Sequence, residues 1–280
     1  MVKIATDSGS DIGPELAQEL GITVVPLYVH FGEEVYRDGV DIGADEFYRR
    51  LETSPIHPTT SAPSPGDFAK IYEKLAQETD EILAIHVSRK LSATYDAALQ
   101  GREALAGRKC RIEVVDSQWV TIALGLIATM AAKAAQAGES LQQVLDGVHQ
   151  AIPQTHLLAF LDTLKYLARG GRIGKAASLL GTALSVKPLL TVREGEAHPA
   201  GLARTRGKAI DRLCEFAKSA LHVQDLSISH STTVNEAQTL AERISSFLPQ
   251  IHLRIARLGP ALGVHGGPGA LVVALRQGEG

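Results

Sequence analysis

Short apolar runs alternate with amphipathic stretches through the first half of the chain. Val2 to Ala5, Ile22 to Val29, Ile82 to Val87 and Ile112 to Val115 predict strands, the second of them rich in β-branched residues. Between them, Pro14 to Leu20, Glu46 to Leu51, Asp67 to Gln77 and Ser92 to Leu105 carry helical spacing. Pro14 suits a first helical turn, and Gly21 follows the last one. Trp119 to Ala137 and Leu141 to Ile152 predict two more helices, parted by Gly138. The first of these is apolar on nearly every face, which predicts a buried core helix. Strands alternating with helices imply a mostly parallel sheet with helices packed on it.

The rhythm changes after Ile152-Pro153. Leu157 to Leu161 predicts a strand and Thr163 to Ala168 a short helix that runs into Arg169-Gly170-Gly171-Arg172. Val186 to Leu202 predicts a hairpin with Glu194-Gly195 at its turn. Thr205 to Leu221 and Asn235 to Phe247 predict helices. Leu226 to Ser229, Ile251 to Ala256 and Leu271 to Leu275 predict strands. The expected fold is therefore α/β in two domains. Residues 1–152 form an N-terminal domain with a mostly parallel sheet flanked by helices, and 153–280 a smaller mixed α/β domain. No internal repeat or low-complexity linker marks the boundary.

Composition narrows the possible functions. The 280 residues are 45% hydrophobic and carry a net charge of -3, without the basic excess expected of a nucleic-acid surface. Cys110 and Cys214 form no CxxC pair, so neither a zinc site nor a disulfide framework is predicted, which fits the cytoplasm. The opening Met1 to Ala5 is too short an apolar run for a signal peptide. Thr121, Thr129 and Lys133 interrupt the most apolar stretch, so no integral membrane segment is expected.

Small hydroxyl residues gather where predicted strands end. The first strand runs into Thr6-Asp7-Ser8, the third into Ser88 with Ser92 and Thr94 beyond, and the fourth into Asp116-Ser117. A Pro-bounded loop, Pro58-Thr59-Thr60-Ser61-Ala62-Pro63, adds three more. In open α/β sheets, ligands bind outside the carboxyl ends of the strands, where hydroxyls beside helix N-termini can hold an anion. The same residue types are also preferred helix N-caps. Asp11, Ser92 and Ser117 each admit that second reading, as do Ser61 and Ser64 before the next helix. Thr60 has no such local duty. His265 sits among glycines, from Gly263 to Gly269, and is either a ligand contact or an exposed residue of a tight turn.

Several catalytic signatures are missing. Gly170 to Lys175 lacks both the first glycine and the Ser/Thr of a phosphate loop, because Arg169 and Ala176 stand there. Gly267-Pro268-Gly269 has Val272 where a dinucleotide fingerprint needs glycine. There is no G-x-S-x-G elbow and no H-E-x-x-H, so no catalytic residue, metal ligand or cofactor is assigned. His86, inside a strand, reads as a satisfied core histidine.

Taken in order, these segments resemble the DegV family of fatty-acid-binding proteins. The resemblance rests on Thr6-Asp7-Ser8-x-x-Asp11, Pro58 to Pro63, Leu91-Ser92-Ala93-Thr94-Tyr95 and Val115-Asp116-Ser117. It extends through Tyr166-Leu167-x-x-Gly170-Gly171-Arg172 and His265-x-Gly267-Pro268-Gly269, and so spans nearly the whole chain. Ala62 stands where the family usually has Gln, and Ala93 where it usually has Gly, two departures that bear on chain preference.

The resemblance implies two α/β domains with a lipid tunnel between or beside them. Thr60 and Ser92 would hold the carboxylate of a long-chain fatty acid, with Ser61 and His265 nearby. The implied partner is an ATP-dependent fatty-acid kinase that phosphorylates the bound carboxyl group. Arg172, Arg204, Arg206 and Lys208 are candidates for its docking surface. The residues themselves leave two alternatives open: a hydrolase or acyltransferase using Ser92 and His265, or a binding module for another small carboxylate.

Overall fold

The computed structural model describes residues 1–107, 109–181 and 186–278. Its first sheet has four parallel strands: β1 (Lys3–Asp7), β2 (Ile22–Val25), β6 (Glu81–His86) and β7 (Arg111–Asp116), in the order β2-β1-β6-β7. α1 (Pro14–Leu20), α3 (Pro65–Leu75) and α4 (Thr94–Glu103) make the crossovers and near-neighbours that parallel pairing demands. α3 begins on a capping box between Ser64 and Asp67, so Ser64, not Ser61, is the cap.

Ile22 to Val29 is not one strand. Pro26 interrupts it, since a proline in a central strand cannot donate to the ladder. Beyond the break, β3 (Tyr28–Phe31) leaves the parallel sheet and pairs antiparallel with β4 (Glu34–Arg37) and with β5 (Thr59–Ser61). This small sheet, with α2 (Ala44–Thr53) against it, has its own apolar cluster of Leu27, Val29, Phe31, Phe47, Tyr48 and Leu51. β5 corrects the expectation of an irregular loop at Thr59 to Ser61.

The second sheet begins directly after α6 (Leu141–Gln154). It contains β8 (Thr155–Phe160), β9 (Lys187–Arg193), β10 (Glu196–Ala203), β11 (Val223–His230), β12 (Arg254–Arg257) and β13 (Leu271–Gln277), ordered β10-β9-β8-β13-β11-β12. Only β11 and β12 run parallel, joined through α9 (Val234–Ser245); the other pairs are antiparallel. The β9–β10 hairpin turns at Glu194 and Gly195, both at positive φ (48° and 79°), as a type I′ turn requires. α8 (Arg206–Ser219) covers one face with α9, burying Leu213, Leu240 and Ile244 against Phe160, Leu226 and Leu271.

α5 (Ile122–Gln136) lies between the two sheets. Ile122 to Ala128 are all buried, and the same cluster takes in Ile4 and Leu83 from the first sheet and Leu157, Val192 and Val272 from the second. The sheets thus change over near Gln154, while one apolar core runs through both. No helix among the described residues is long and apolar enough to cross a membrane.

Because that core is shared, unfolding is expected to be one transition. Ile127 is fully buried, and Ile127→Ala is expected to destabilise by roughly 2–5 kcal/mol. Urea unfolding followed by Trp119 fluorescence and by far-ultraviolet circular dichroism should shift together. Two separated transitions would show the sheets to be independent units.

Candidate functional site

The mixed sheet turns an apolar face toward the first half of the chain. Ala159 stands beside Leu190 on one side and Val272 on the other, and Leu157 and Val192 lie two positions along on the same face. Opposite this face are Val87, Val120 and Leu27, with Leu258, Ala261 and Leu262 from the segment around α10 (Pro260–Gly266). Ala159, Ala197, Ala261 and Ala270 are too small to close the gap. A cavity of about 410 Å³ remains, walled almost wholly by aliphatic side chains.

Thr60, Ser92, Arg172 and His265 line one part of it, while Thr121 and Thr191, also in the lining, give their hydroxyls to Asp11 and to the Leu157 carbonyl. Strand pairing of β5 with β3 directs Thr60 inward while Thr59 and Ser61 stay exposed. Thr60 Oγ1 lies 3.0 Å from His265 Nε2. His265 was expected in a loop but occupies the last turn of α10, which Pro260 opens. Burial pushes its imidazole down to about 4, and Arg172 and His57 add repulsion, so it is neutral at physiological pH. With Nε2 protonated, it donates to Thr60 and frees the Thr60 hydroxyl hydrogen for an incoming acceptor.

Ser92 borders the cavity, with its Oγ 2.8 Å from Thr94 Oγ1 and accepting from Thr94 N at 3.3 Å. α4 starts after Ala93 without a side-chain cap, so Ser92 is not its N-cap in the usual sense. Arg172 gives Nε to Leu91 O (3.2 Å) and Nη1 to Gly170 O (2.7 Å), which ties the Gly-Gly-Arg turn to the Ser92 loop. Its other guanidinium N–H groups remain for a ligand. Ala62 and Ala93 also line the cavity, beside the polar groups in sequence. Ser61 touches the cavity, but its hydroxyl is 2.8 Å from the half-buried His30 ring.

The other basic candidates lie elsewhere. Arg206, expected to be available to a partner, spends its guanidinium on Glu236, Asp162 and the Gly269 carbonyl, over the Phe160 ring. Arg204 is exposed, and Lys208 pairs with Asp211 in the first turn of α8. Neither borders the cavity. His265 and Ser92 do not form a nucleophile–base hydrogen bond here, since the first pairs with Thr60 and the second with Thr94. Among the described residues no cluster of His, Cys, Asp and Glu could hold a metal ion.

The two glycine motifs fit against each other. A Cβ on Gly170 would lie 2.1 Å from His265 Nδ1, and one on Gly267 would lie 2.2 Å from the Tyr166 ring. Gly170→Ala is therefore expected to displace the imidazole, break its bond to Thr60 and destabilise by about 1–3 kcal/mol. Imidazole nitrogen chemical shifts and the urea midpoint check this; an unchanged His265 signal would contradict it.

A family model described as "Uncharacterised protein, DegV family" matches residues 1–277. A DegV domain-containing protein of Deinococcus radiodurans is 36% identical over 278 residues, covering 98% of each chain. Among solved structures, a DegV family protein from Thermus thermophilus, described by its fatty acid binding, superposes with a TM-score of 0.91 at 31% identity over 99% of both chains. A stearic-acid-binding protein from Eubacterium ventriosum superposes with a TM-score of 0.90 at 26% identity, again over 99% of both. The mixed α/β fold, with its parallel sheet, is the one these structures share, and the chain belongs to the DegV family.

Proposed function

We propose that this chain binds a long-chain fatty acid, with the acyl chain in the 410 Å³ cavity and the carboxylate on Thr60 and Ser92 beside His265 and Arg172. The observation that carries this reading is the division of the lining: aliphatic side chains nearly throughout, and hydroxyls, a neutral imidazole and one guanidinium together. Empty, a 410 Å³ cavity leaves its aliphatic walls without packing partners. An acyl chain offsets this, at about 0.8 kcal/mol per buried CH₂. A carboxylate needs several donors when it leaves water, and these residues can supply them. The fatty acids bound by the Thermus and Eubacterium relatives support the same ligand class.

The bound acid is then presented to a fatty-acid kinase, which transfers phosphate from ATP to the carboxyl group. This protein itself acts as the carrier and works in the cytoplasm, where its half-buried cysteines stay reduced. A carboxylate held by neutral hydroxyls stays accessible as a nucleophile. Arg172 is best placed to meet the transferred phosphoryl group, and exposed Arg204 and Lys208 to steer an acidic partner.

Denatured protein is expected to release about one fatty acid per chain, the limit for a single pocket. Thr60→Ala and Ser92→Ala should each weaken binding by roughly 1.5–3 kcal/mol, and less than additively when combined. Mass spectrometry of organic extracts and fatty-acid titration measure both. A ligand-free preparation that also ignores added oleate and palmitate sinks the proposal. Radiolabelled phosphate transfer to the bound acid should require the kinase; transfer without it would make the protein an enzyme in its own right.

A further inference from the structure

Two buried carboxylates that touch no part of the cavity meet at the far end of the helix that carries His265. Asp11 Oδ1 accepts from Gly259 N at 2.9 Å, and its Oδ2 accepts from Thr121 Oγ1 at 2.5 Å. Asp38 accepts from Ser8 Oγ at 2.7 Å and faces the Ala261 backbone N–H. Both are at least nine-tenths buried. They converge so closely that a Cβ on Gly259 would lie 3.3 Å from Asp38 Oδ1 and 3.4 Å from Asp11 Oδ1. Gly259 is the N-cap of α10 and lacks a capping side chain of its own. The carboxylates therefore take the place of a local cap, from segments more than two hundred residues away in sequence.

We propose that Asp11 and Asp38 are positioning residues for the head-group site: by seating the first turn of α10, they set the His265 imidazole against Thr60. This rests on the fatty-acid reading of the cavity and adds to it residues that touch no ligand. It also gives the Thr6-Asp7-Ser8-x-x-Asp11 segment a role. Asp7 does the corresponding work for the other wall, because its Oδ2 accepts from Val87 N and lies 2.9 Å from His86 Nδ1, just before the Ser92 loop. One turn of chain thus braces both sides of the site.

The charge state of the pair gives the role a readout. Burial raises both Asp11 and Asp38 to about 7; repulsion from Asp38 adds to it at Asp11, and repulsion from Asp7 at Asp38. The other groups facing them are the Ser229 hydroxyl and Tyr48, which burial keeps neutral. Arg257 lies over the Tyr48 ring. At His265 the facing groups are Arg172 and His57. Below pH 7 the carboxyl groups hold protons and sit side by side without repulsion. Above it both ionise, and the cost of holding two charges out of water, with repulsion added, outweighs the stronger Gly259 and Ala261 hydrogen bonds and loosens the seat of α10. His265 itself titrates near 4, well outside this window.

The test is fatty-acid affinity from pH 5.5 to 8.5, with imidazole nitrogen shifts of His265 recorded on the same samples. Wild-type affinity is expected to fall roughly tenfold as pH rises through 7, the effect of moving one group's proton affinity by one unit. Asp11→Asn and Asp38→Asn should each flatten that step, since either removes one of the two charges. Asp11→Ala, which strips both Gly259 N and Thr121 of their partner, should shift the His265 signal and weaken binding, and the Asn variant should restore both. If Asp11→Ala fails to fold, the two Asn variants decide. A pH step that persists in both Asn variants, or a His265 signal that Asp11→Ala leaves unchanged, overturns the proposal. Wild-type protein that binds no fatty acid overturns the ligand reading instead, and the His265 signal still tests the positioning.

Discussion

A helical segment with no wet face must be covered on every side, and Ile122 to Ala128, the first half of α5, is such a segment. One sheet alone could bury about half its circumference. The parallel sheet of the first half and the mixed sheet of the second both pack against it, and the apolar cluster from Ile4 to Val272 is continuous as a result. That requirement fixes how the two sheets face each other. Small side chains at Ala159, Ala197 and Ala270 then keep part of the space between the sheets from being filled. The cavity follows from the same packing that holds the halves together.

In the proposed head-group site a charge would be held without a buried ion of the opposite sign. Burial and neighbouring positive groups keep His265 neutral, so the site does not pit a fixed imidazolium against the ligand. Only Arg172 brings a full charge, and it stands where solvent reaches it, anchored to two backbone carbonyls. The contrast with Arg206 is instructive. The two arginines are equivalent in sequence terms, yet one borders the cavity and the other is locked between Asp162 and Glu236.

Local chemistry made part of this readable from the chain. Helix and strand placement came through wherever periodicity and caps agreed, as at Pro14–Leu20 and in the Glu194-Gly195 hairpin. Ser92 stood out among hydroxyls gathered past a strand end, Thr60 in a Pro-bounded loop where it had no capping duty, and both through the family resemblance. What escaped depended on distant partners. β5 is three residues between prolines and becomes a strand only by pairing with β3. α10 looked like a glycine-rich loop because its cap comes from Asp11 and Asp38 rather than from a neighbouring Ser or Asp. The aliphatic lining was hidden in ordinary strand alternation, since Leu157, Ala159 and Leu190 would look the same in a filled core.

The close fit of the two glycine motifs limits how this fold can be recombined. The turn ending at Arg172 leaves room at Gly170 for the His265 ring, and the segment after His265 leaves room at Gly267 for the Tyr166 ring. Each segment is thus a mould for the other, although almost a hundred residues separate them. A chimera that took residues up to Arg172 from one relative and the remainder from another would inherit only half of each contact. Breakpoints placed outside the stretch from Tyr166 to Gly267 would keep the mould and its cast in one parent. Such hybrids would keep the Gly170–His265 and Gly267–Tyr166 contacts as one parent built them.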